Sequence, residues 1–287
     1  MIFITGSESF VGTNLIRRLK KEKIKFIGID TKKTSKNSNL KIRNINDPNL
    51  YKLIPKNSTI VHLAAISNVK DCESNPMKTL KTNINGTLNL IEQSVKKKAR
   101  HFIFASTEWV YPNEKKVFNE NSSIQIEKLD NNYSISKLIG ENIIKKFSKK
   151  IKITILRFGI IYSDRISSGS AVEALTNSVL NSKEVKIGSK LNSRRFVHID
   201  DIVNGIYLSY KKKIQGTFNL AGDKDINLGE IINLSKKILN KNVTIVESKK
   251  TKPSIRKVSN LQAKTKLGWR PKISIYEGIQ KIIKRKI

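Results

Sequence analysis

A chain of 287 residues can hold one large domain with a smaller lobe, and 38% hydrophobic with 28% charged residues suits a soluble globular enzyme rather than a disordered chain. The formal charge of +33 points first to nucleic acid, but the lysines are scattered in short runs near predicted helix ends, where cations suit the helix dipole, and none interleaves with aromatics. No apolar run approaches the ~20 residues of a membrane span, and the single cysteine, Cys72, excludes an internal disulfide and leaves no basis for a thiolate metal site.

Met1–Thr5 (MIFIT) reads as a buried strand. It is too short for a secretory h-region, so no targeting segment and a cytoplasmic protein are expected. Gly6-Ser7-Glu8-Ser9 turns the chain, and Phe10, Leu15, Ile16 and Leu19 mark one face of a helix to Lys23. Lys25–Asp30 is a second strand that ends on a carboxylate. This β-turn-α-β order suits a dinucleotide: the turn approaches a pyrophosphate, the helix N-terminus offers free N–H groups, and Asp30 can accept from a ribose diol. Taken alone, the spacing Gly6-x-x-Ser9-x-x-Gly12 also suits a βαβ unit that binds nothing. Asp30 favours the cofactor, and unphosphorylated NAD, although Lys32 and Lys33 follow closely.

Further strands are predicted at Leu40–Arg43, Thr59–Ala65, His101–Ser106 and Ile151–Phe158. Helices are predicted near Asp47-Pro48, along the pattern after Pro76, and over Asn132–Lys150. Strands alternating with helices of this length imply right-handed crossovers and an α/β, doubly wound parallel sheet, the Rossmann fold. Beyond Tyr162 the elements shorten: a helix near Ala171–Asn181, a strand near Glu184–Ile187, and helices over His198–Tyr210, Asn227–Leu239 and Ser274–Ile283. We expect an NAD-binding domain over 1–165 and a smaller, interleaved substrate lobe over 166–287, with about 198–222, including Thr217–Leu220, returning to the main sheet.

Tyr133 and Lys137 are the candidates for the chemistry, although taken alone a Tyr-x-x-x-Lys spacing also arises by chance on surface helices. Four residues apart, they share one helix face, so the ammonium can sit near the phenol and, with an oxidised nicotinamide, lower its pKa towards neutrality. Such a phenol is a usable acid/base for a carbinol or carbonyl, and Thr107 offers a hydroxyl for the same oxygen.

With Thr5-Gly6-x-x-Ser9-Phe10-Val11-Gly12, His62-Leu63-Ala64-Ala65, Asn83-x-x-Gly86-Thr87, Ser106-Thr107-x-x-Val110-Tyr111, Leu156-Arg157-Phe158, Arg194, Asn219-Leu220-Ala221-Gly222 and Leu267-Gly268-Trp269-x-Pro271, the chain resembles the extended short-chain dehydrogenase/reductases, the NAD-dependent sugar-nucleotide epimerases and dehydratases. The resemblance covers almost the whole chain. It implies that Thr107, Tyr133 and Lys137 are catalytic, and that Gly6, Ser9, Phe10, Val11, Gly12, Asp30, Asn44, Ile45, Leu63, Ala64, Ala65, Tyr133 and Lys137 meet NAD. It places Ser67, Thr107, Glu108 and Arg194 at the nucleotide-sugar substrate, with Arg194 on its diphosphate, and implies a homodimer and no metal.

The chain departs from the family pattern at several points. Ser9 replaces a glycine, and Ile160 an asparagine that helps hold the diphosphate. Arg195 stands at a usually acidic position, Lys252-Pro253 at an Arg-Pro, and Ser163-Asp164-Arg165 at a Gly-Pro-Arg. Glu108 matches the first of a dehydratase's two acids, whereas Trp109 occupies the second place. The expected function is an epimerase that removes and returns a hydride. The alternatives are a one-way keto-sugar reductase and a non-catalytic RNA-binding relative, the latter opposed by intact Thr107, Tyr133 and Lys137.

Overall fold

The structure is a computed structural model that describes residues 1–32, 37–165, 169–248 and 253–286. Lys33, Lys252 and residue 166, where the sequence starts the second lobe, lie outside them. The chain begins β1 (Ile2–Thr5), α1 (Phe10–Lys21), β2 (Phe26–Asp30), β3 (Leu40–Ile42), β4 (Thr59–His62). Next come α2 (Val69–Ser74), α3 (Pro76–Leu80), α4 (Gly86–Lys96), β5 (His101–Thr107), β6 (Val117–Phe118) and α5 (Asn132–Lys145). They are followed by β7 (Lys152–Phe158), β8 (Ile160–Tyr162), α6 (Ala171–Asn181), β9 (Glu184–Ile187), β10 (Ser193–Arg194) and β11 (Phe196–His198). The chain ends with α7 (Ile199–Lys212), β12 (Gly216–Leu220), β13 (Ile226–Asn227), α8 (Leu228–Leu239), β14 (Thr244–Glu247), β15 (Lys257–Val258) and α9 (Ile275–Lys284).

Seven strands form one parallel sheet in the order β12-β7-β5-β4-β1-β2-β3. From β1 the chain winds one way to β2 and β3, then crosses to β4, β5, β7 and β12. The crossover opens a crevice beyond the carboxyl ends of β1 and β4, where such sheets take ligands. The inner strands read as unbroken β-branched and aromatic runs because both faces are covered. On one face Leu15, Ile16 and Leu19 of α1 pack with Ile202, Val203 and Ile206 of α7 and buried Trp269; on the other Leu90, Ile91 and Ile144 meet Phe102, Phe104 and Ile155. Trp269 donates its indole N–H to the Asp201 carbonyl at 2.7 Å. A separate core of Val172, Leu175, Val185, Ile231, Ile232, Ile279 and Ile282 holds α6, α8, α9 and β9 together.

Thr217–Leu220 does join the main sheet, pairing in parallel with β7. Three expectations change. Asp47 caps no α-helix; its carboxylate accepts from Asn49 N, and only a 3-10 turn at Leu50–Lys52 follows. The helix after Pro76 is broken by a π-turn, Lys81–Asn85, and the helix from Asn132 stops at Lys145. Short strands such as β8, β10 and β11 show no alternation over two or three residues, so periodicity does not reveal them.

Candidate active site

Ser9 caps α1, its hydroxyl accepting from Gly12 N at 3.1 Å. Gly6 has φ +71°, and a Cβ there would fall 2.6 Å from Ala64 N, so the turn lies hard against the chain after β4. Gly12 packs beneath the turn, where a Cβ would approach Ser7 O at 2.8 Å. Asp30 locks the turn from the other side: its carboxylate accepts from Glu8 N at 2.9 Å and Thr31 N at 2.8 Å. Oδ1 also accepts from the Thr31 hydroxyl at 3.5 Å, and Oδ2 keeps a lone pair for a ribose hydroxyl.

Two cavities meet at this turn. One, of about 450 Å³, is lined by Gly6, Ser9, Asp30, Asn44, Ile45, Leu63, Ala64 and Ala65, with Lys32, Arg43 and Lys78 around it. The other, of about 470 Å³, is lined by Ser9, Phe10, Val11, Leu63, Ala65, Ser67, Thr107, Trp109, Tyr133, Lys137 and Arg165. Ser9, Leu63 and Ala65 line both, so a single elongated ligand can run from Asp30 past the α1 N-terminus to Tyr133.

The catalytic candidates are held from several elements. Asn131 caps α5 by accepting from Ser134 N at 2.9 Å, and Glu73 of α2 accepts from the Asn132 backbone and side chain at 2.7 and 2.9 Å. Asn83, on the π-turn, accepts from Ile66 N and donates to Ile66 O and to Ser136 Oγ, tying the strand-four loop to the helix that carries Tyr133. Such π-turns re-aim side chains at functional sites. Lys137 is buried, its ammonium 4.5 Å from the Phe104 ring centre. Burial pulls its pKa down to about 8, with Glu141 opposing. Burial pushes Tyr133 up to about 12, the Thr107 hydroxyl drawing it back. That direction is opposite to the one expected from Lys137, because desolvation outweighs every other influence on this phenol.

Several motif residues never reach the cavity. Glu141 is buried and accepts from Arg157 Nε at 2.9 Å, Arg157 Nη2 at 2.6 Å and Ser106 Oγ at 2.6 Å. Arg157 Nη1 donates to Tyr111 Oη at 2.8 Å, and Tyr111 donates to Asn219 Oδ1 at 2.9 Å. One network thus fixes α5 against β5, β7 and β12. The sequence has the partners of Glu141 but gives no sign of Glu141 itself.

Two expected substrate residues lie aside from the Tyr133 cavity. Arg194 donates to Ser193 O, Ser254 O and Ser254 Oγ, each at 2.7 Å, and stands 5.9 Å from the Trp109 ring centre. Arg256, which the sequence did not single out, covers the same ring at 4.5 Å and pairs with Asp130 at 2.6 Å. Glu108 is buried, and neither carboxylate oxygen has a hydrogen-bond partner among the described residues. Arg195 answers its unusual position by pairing with Asp225 at 2.7 Å.

Residues 2–221 match the model of the NAD dependent epimerase/dehydratase family. The chain belongs to that family. It is 24% identical to a putative UDP-glucose 4-epimerase of Methanocaldococcus jannaschii, covering 99% of this chain and 97% of that one. It is 25% identical to UDP-glucuronic acid decarboxylase 4 of Arabidopsis thaliana, over 99% of this chain and 68% of that protein. The crystal structure of a Bacillus cereus UDP-glucuronic acid 4-epimerase mutant, in complex with NAD and a fluorinated UDP-sugar, superposes with a TM-score of 0.87 at 26% identity, covering 100% of this chain and 99% of that one.

As a member of this family the chain is an NAD-dependent enzyme of the short-chain dehydrogenase/reductase type. The cleft fits that cofactor: a glycine turn with no room for a Cβ, a capped helix N-terminus at the waist, and a carboxylate at the far end of the Asp30 cavity. Among the described residues no His, Cys, Asp and Glu cluster suited to a metal is found, and no helix is long and apolar enough to cross a membrane.

Proposed function

We propose that the protein is an NAD-dependent nucleotide-sugar epimerase that inverts a carbinol carbon by oxidising and re-reducing it. The observation that carries the reading is the convergence of Thr107, Tyr133 and Lys137 on one cavity continuous with the cofactor cleft. Bound NAD supplies a hydride acceptor for the carbinol carbon. Thr107 holds the reacting oxygen, and Tyr133 takes its proton as the carbon–oxygen double bond forms. The buried Lys137 ammonium, with the charge of the oxidised nicotinamide, offsets the burial that raises the phenol. Tyr133 then returns the proton when the hydride re-enters from the opposite face of the ketone. Gly6, Ser9, Phe10, Val11, Asp30, Asn44, Ile45, Leu63, Ala64 and Ala65 line the cofactor's path, and Ser67 faces the sugar.

Two features favour epimerisation over elimination of water. Trp109 lines the cavity where a second acid would stand, and Glu108 does not line it. Relatives named as epimerases of UDP-linked sugars support the substrate class.

Such an epimerase must keep its cofactor through the cycle, because its loss would strand a ketone. Protein purified without added cofactor is therefore expected to contain NAD and to interconvert two epimers from a panel of nucleotide sugars unaided. Turnover of a keto-sugar that occurs only when reduced cofactor is supplied would replace this reading with a reductase.

A further inference from the structure

We infer that Arg165 is a clasp on the cofactor's pyrophosphate, facing it across the cleft from the N-terminus of α1. This rests on the cofactor cleft described above and adds to it a residue from the opposite wall. Arg165 follows β8 and lines the Tyr133 cavity together with Ser9, Phe10 and Val11. Its guanidinium lies 4.1 Å from the ring centre of Phe10, the first residue of α1. A dinucleotide joining the two cavities must cross at Ser9, Leu63 and Ala65, beside this contact.

The side chain is anchored at one edge. Nε donates to Glu173 at 3.1 and 3.3 Å, while the two terminal amino groups donate to nothing among the described residues. Glu173 is buried and fixed without Arg165, since it also accepts from Ser163 N, Ser163 Oγ, Gly169 N and Ser170 N. Gly169 leaves the space that the guanidinium fills; a Cβ there would overlap it. Nη2 packs on Gly169, and the guanidinium keeps N–H groups directed away from Glu173, in the planar fork that suits phosphate oxygens.

The charge balance points the same way. A pyrophosphate bridge carries two negative charges, and a helix N-terminus offers roughly half an elementary charge. Lys32, Arg43 and Lys78 lie at the Asp30 end, and Lys137 lies with Tyr133. Among the described residues Arg165 is left as the cation at the waist. A nucleotide sugar also has a diphosphate, but the position over Phe10 assigns Arg165 to the cofactor's.

Arg165→Met keeps the aliphatic stem over Phe10, removes the donors, and leaves Glu173 its other hydrogen bonds. Equilibrium binding of NAD, ADP-ribose, AMP and UDP, measured without any sugar, isolates the effect; a failed epimerase reading leaves this readout untouched. NAD and ADP-ribose should bind about 10- to 100-fold more weakly, the loss of a charged hydrogen bond, with AMP and UDP unchanged. Unchanged NAD affinity overturns the inference. So does weakened UDP with unchanged ADP-ribose, which would hand Arg165 to the substrate. Should R165M fail to fold, R165K keeps the pair with Glu173 but loses the fork; NAD binding about 5-fold weaker supports the clasp, and wild-type affinity refutes it.

Discussion

Glu108 is 1% exposed, with both oxygens lacking a hydrogen bond among the described residues. Burial pushes its pKa from 4.5 to about 7, although Arg194, Arg256 and Arg195 pull it back, while Asp225 adds to the rise. A carboxyl raised in the folded state costs stability as pH climbs. Below about 4.5 it is neutral folded or unfolded; between 4.5 and 7 only the unfolded chain ionises; above 7 the full penalty stands. Glu108→Gln should therefore gain up to about 3 kcal/mol above pH ~7 and nothing near pH ~4, read by urea unfolding across pH. A gain confined to acid would refute the assignment. Tyr133 makes the opposite demand, since its hydroxyl matters to turnover rather than to packing. Tyr133→Phe keeps the ring, so turnover should fall by ~10²–10⁴-fold while NAD still binds. Near-normal turnover in this variant would remove Tyr133 from the proton path.

At the scale of elements, the glycine turn, the start of α1 and the end of β2 act as one unit, because Asp30 is bonded to Glu8 N across the turn. A 2′-phosphate would meet that carboxylate, so NAD should bind at least ~10-fold more tightly than NADP in a fluorescence titration. Lys32, Arg43 and Lys78 in the same cavity temper the repulsion, and Asp30→Ser should narrow the gap. Tighter binding of NADP by the unaltered protein would contradict the account. This unit was legible in the sequence because its parts are local: a strand run, a turn, a helical face and a terminal acid within thirty residues. The placement of Tyr133 and Lys137 on one helix was legible for the same reason. The Glu141–Arg157–Tyr111–Asn219 network was not, since its partners lie 16, 46 and 108 residues apart and no local pattern joins them. Arg256 escaped notice because arginines in a basic chain carry no spacing signal, and Arg165 stood out only as the end of an altered Gly-Pro-Arg, with no role attached. The cap expected at Asp47 failed because its carboxylate is spent on a two-residue turn.

At the scale of the whole molecule, one concentration of the excess charge lies away from the chemistry. Lys98, Arg100, Lys149, Lys150, Lys152 and Lys213 surround a concavity at the amino ends of β5 and β7, whereas the cleft lies at the carboxyl ends. Three helices, α4, α5 and α7, end near it, and their dipoles favour cations. Nucleic acid should bind without sequence preference and be released between low salt and ~0.2 M, because counterion release alone would drive it. Sequence-selective RNA binding that survives ~0.2 M salt would contradict this. The central claim is that the same hydrogen leaves the carbinol carbon and comes back to it. Turnover in heavy water tests it most directly, with the inverted carbon of the product examined by NMR. The account predicts no solvent deuterium at that carbon, because the hydride never exchanges; deuterium incorporated there would mean inversion by proton removal and would contradict it.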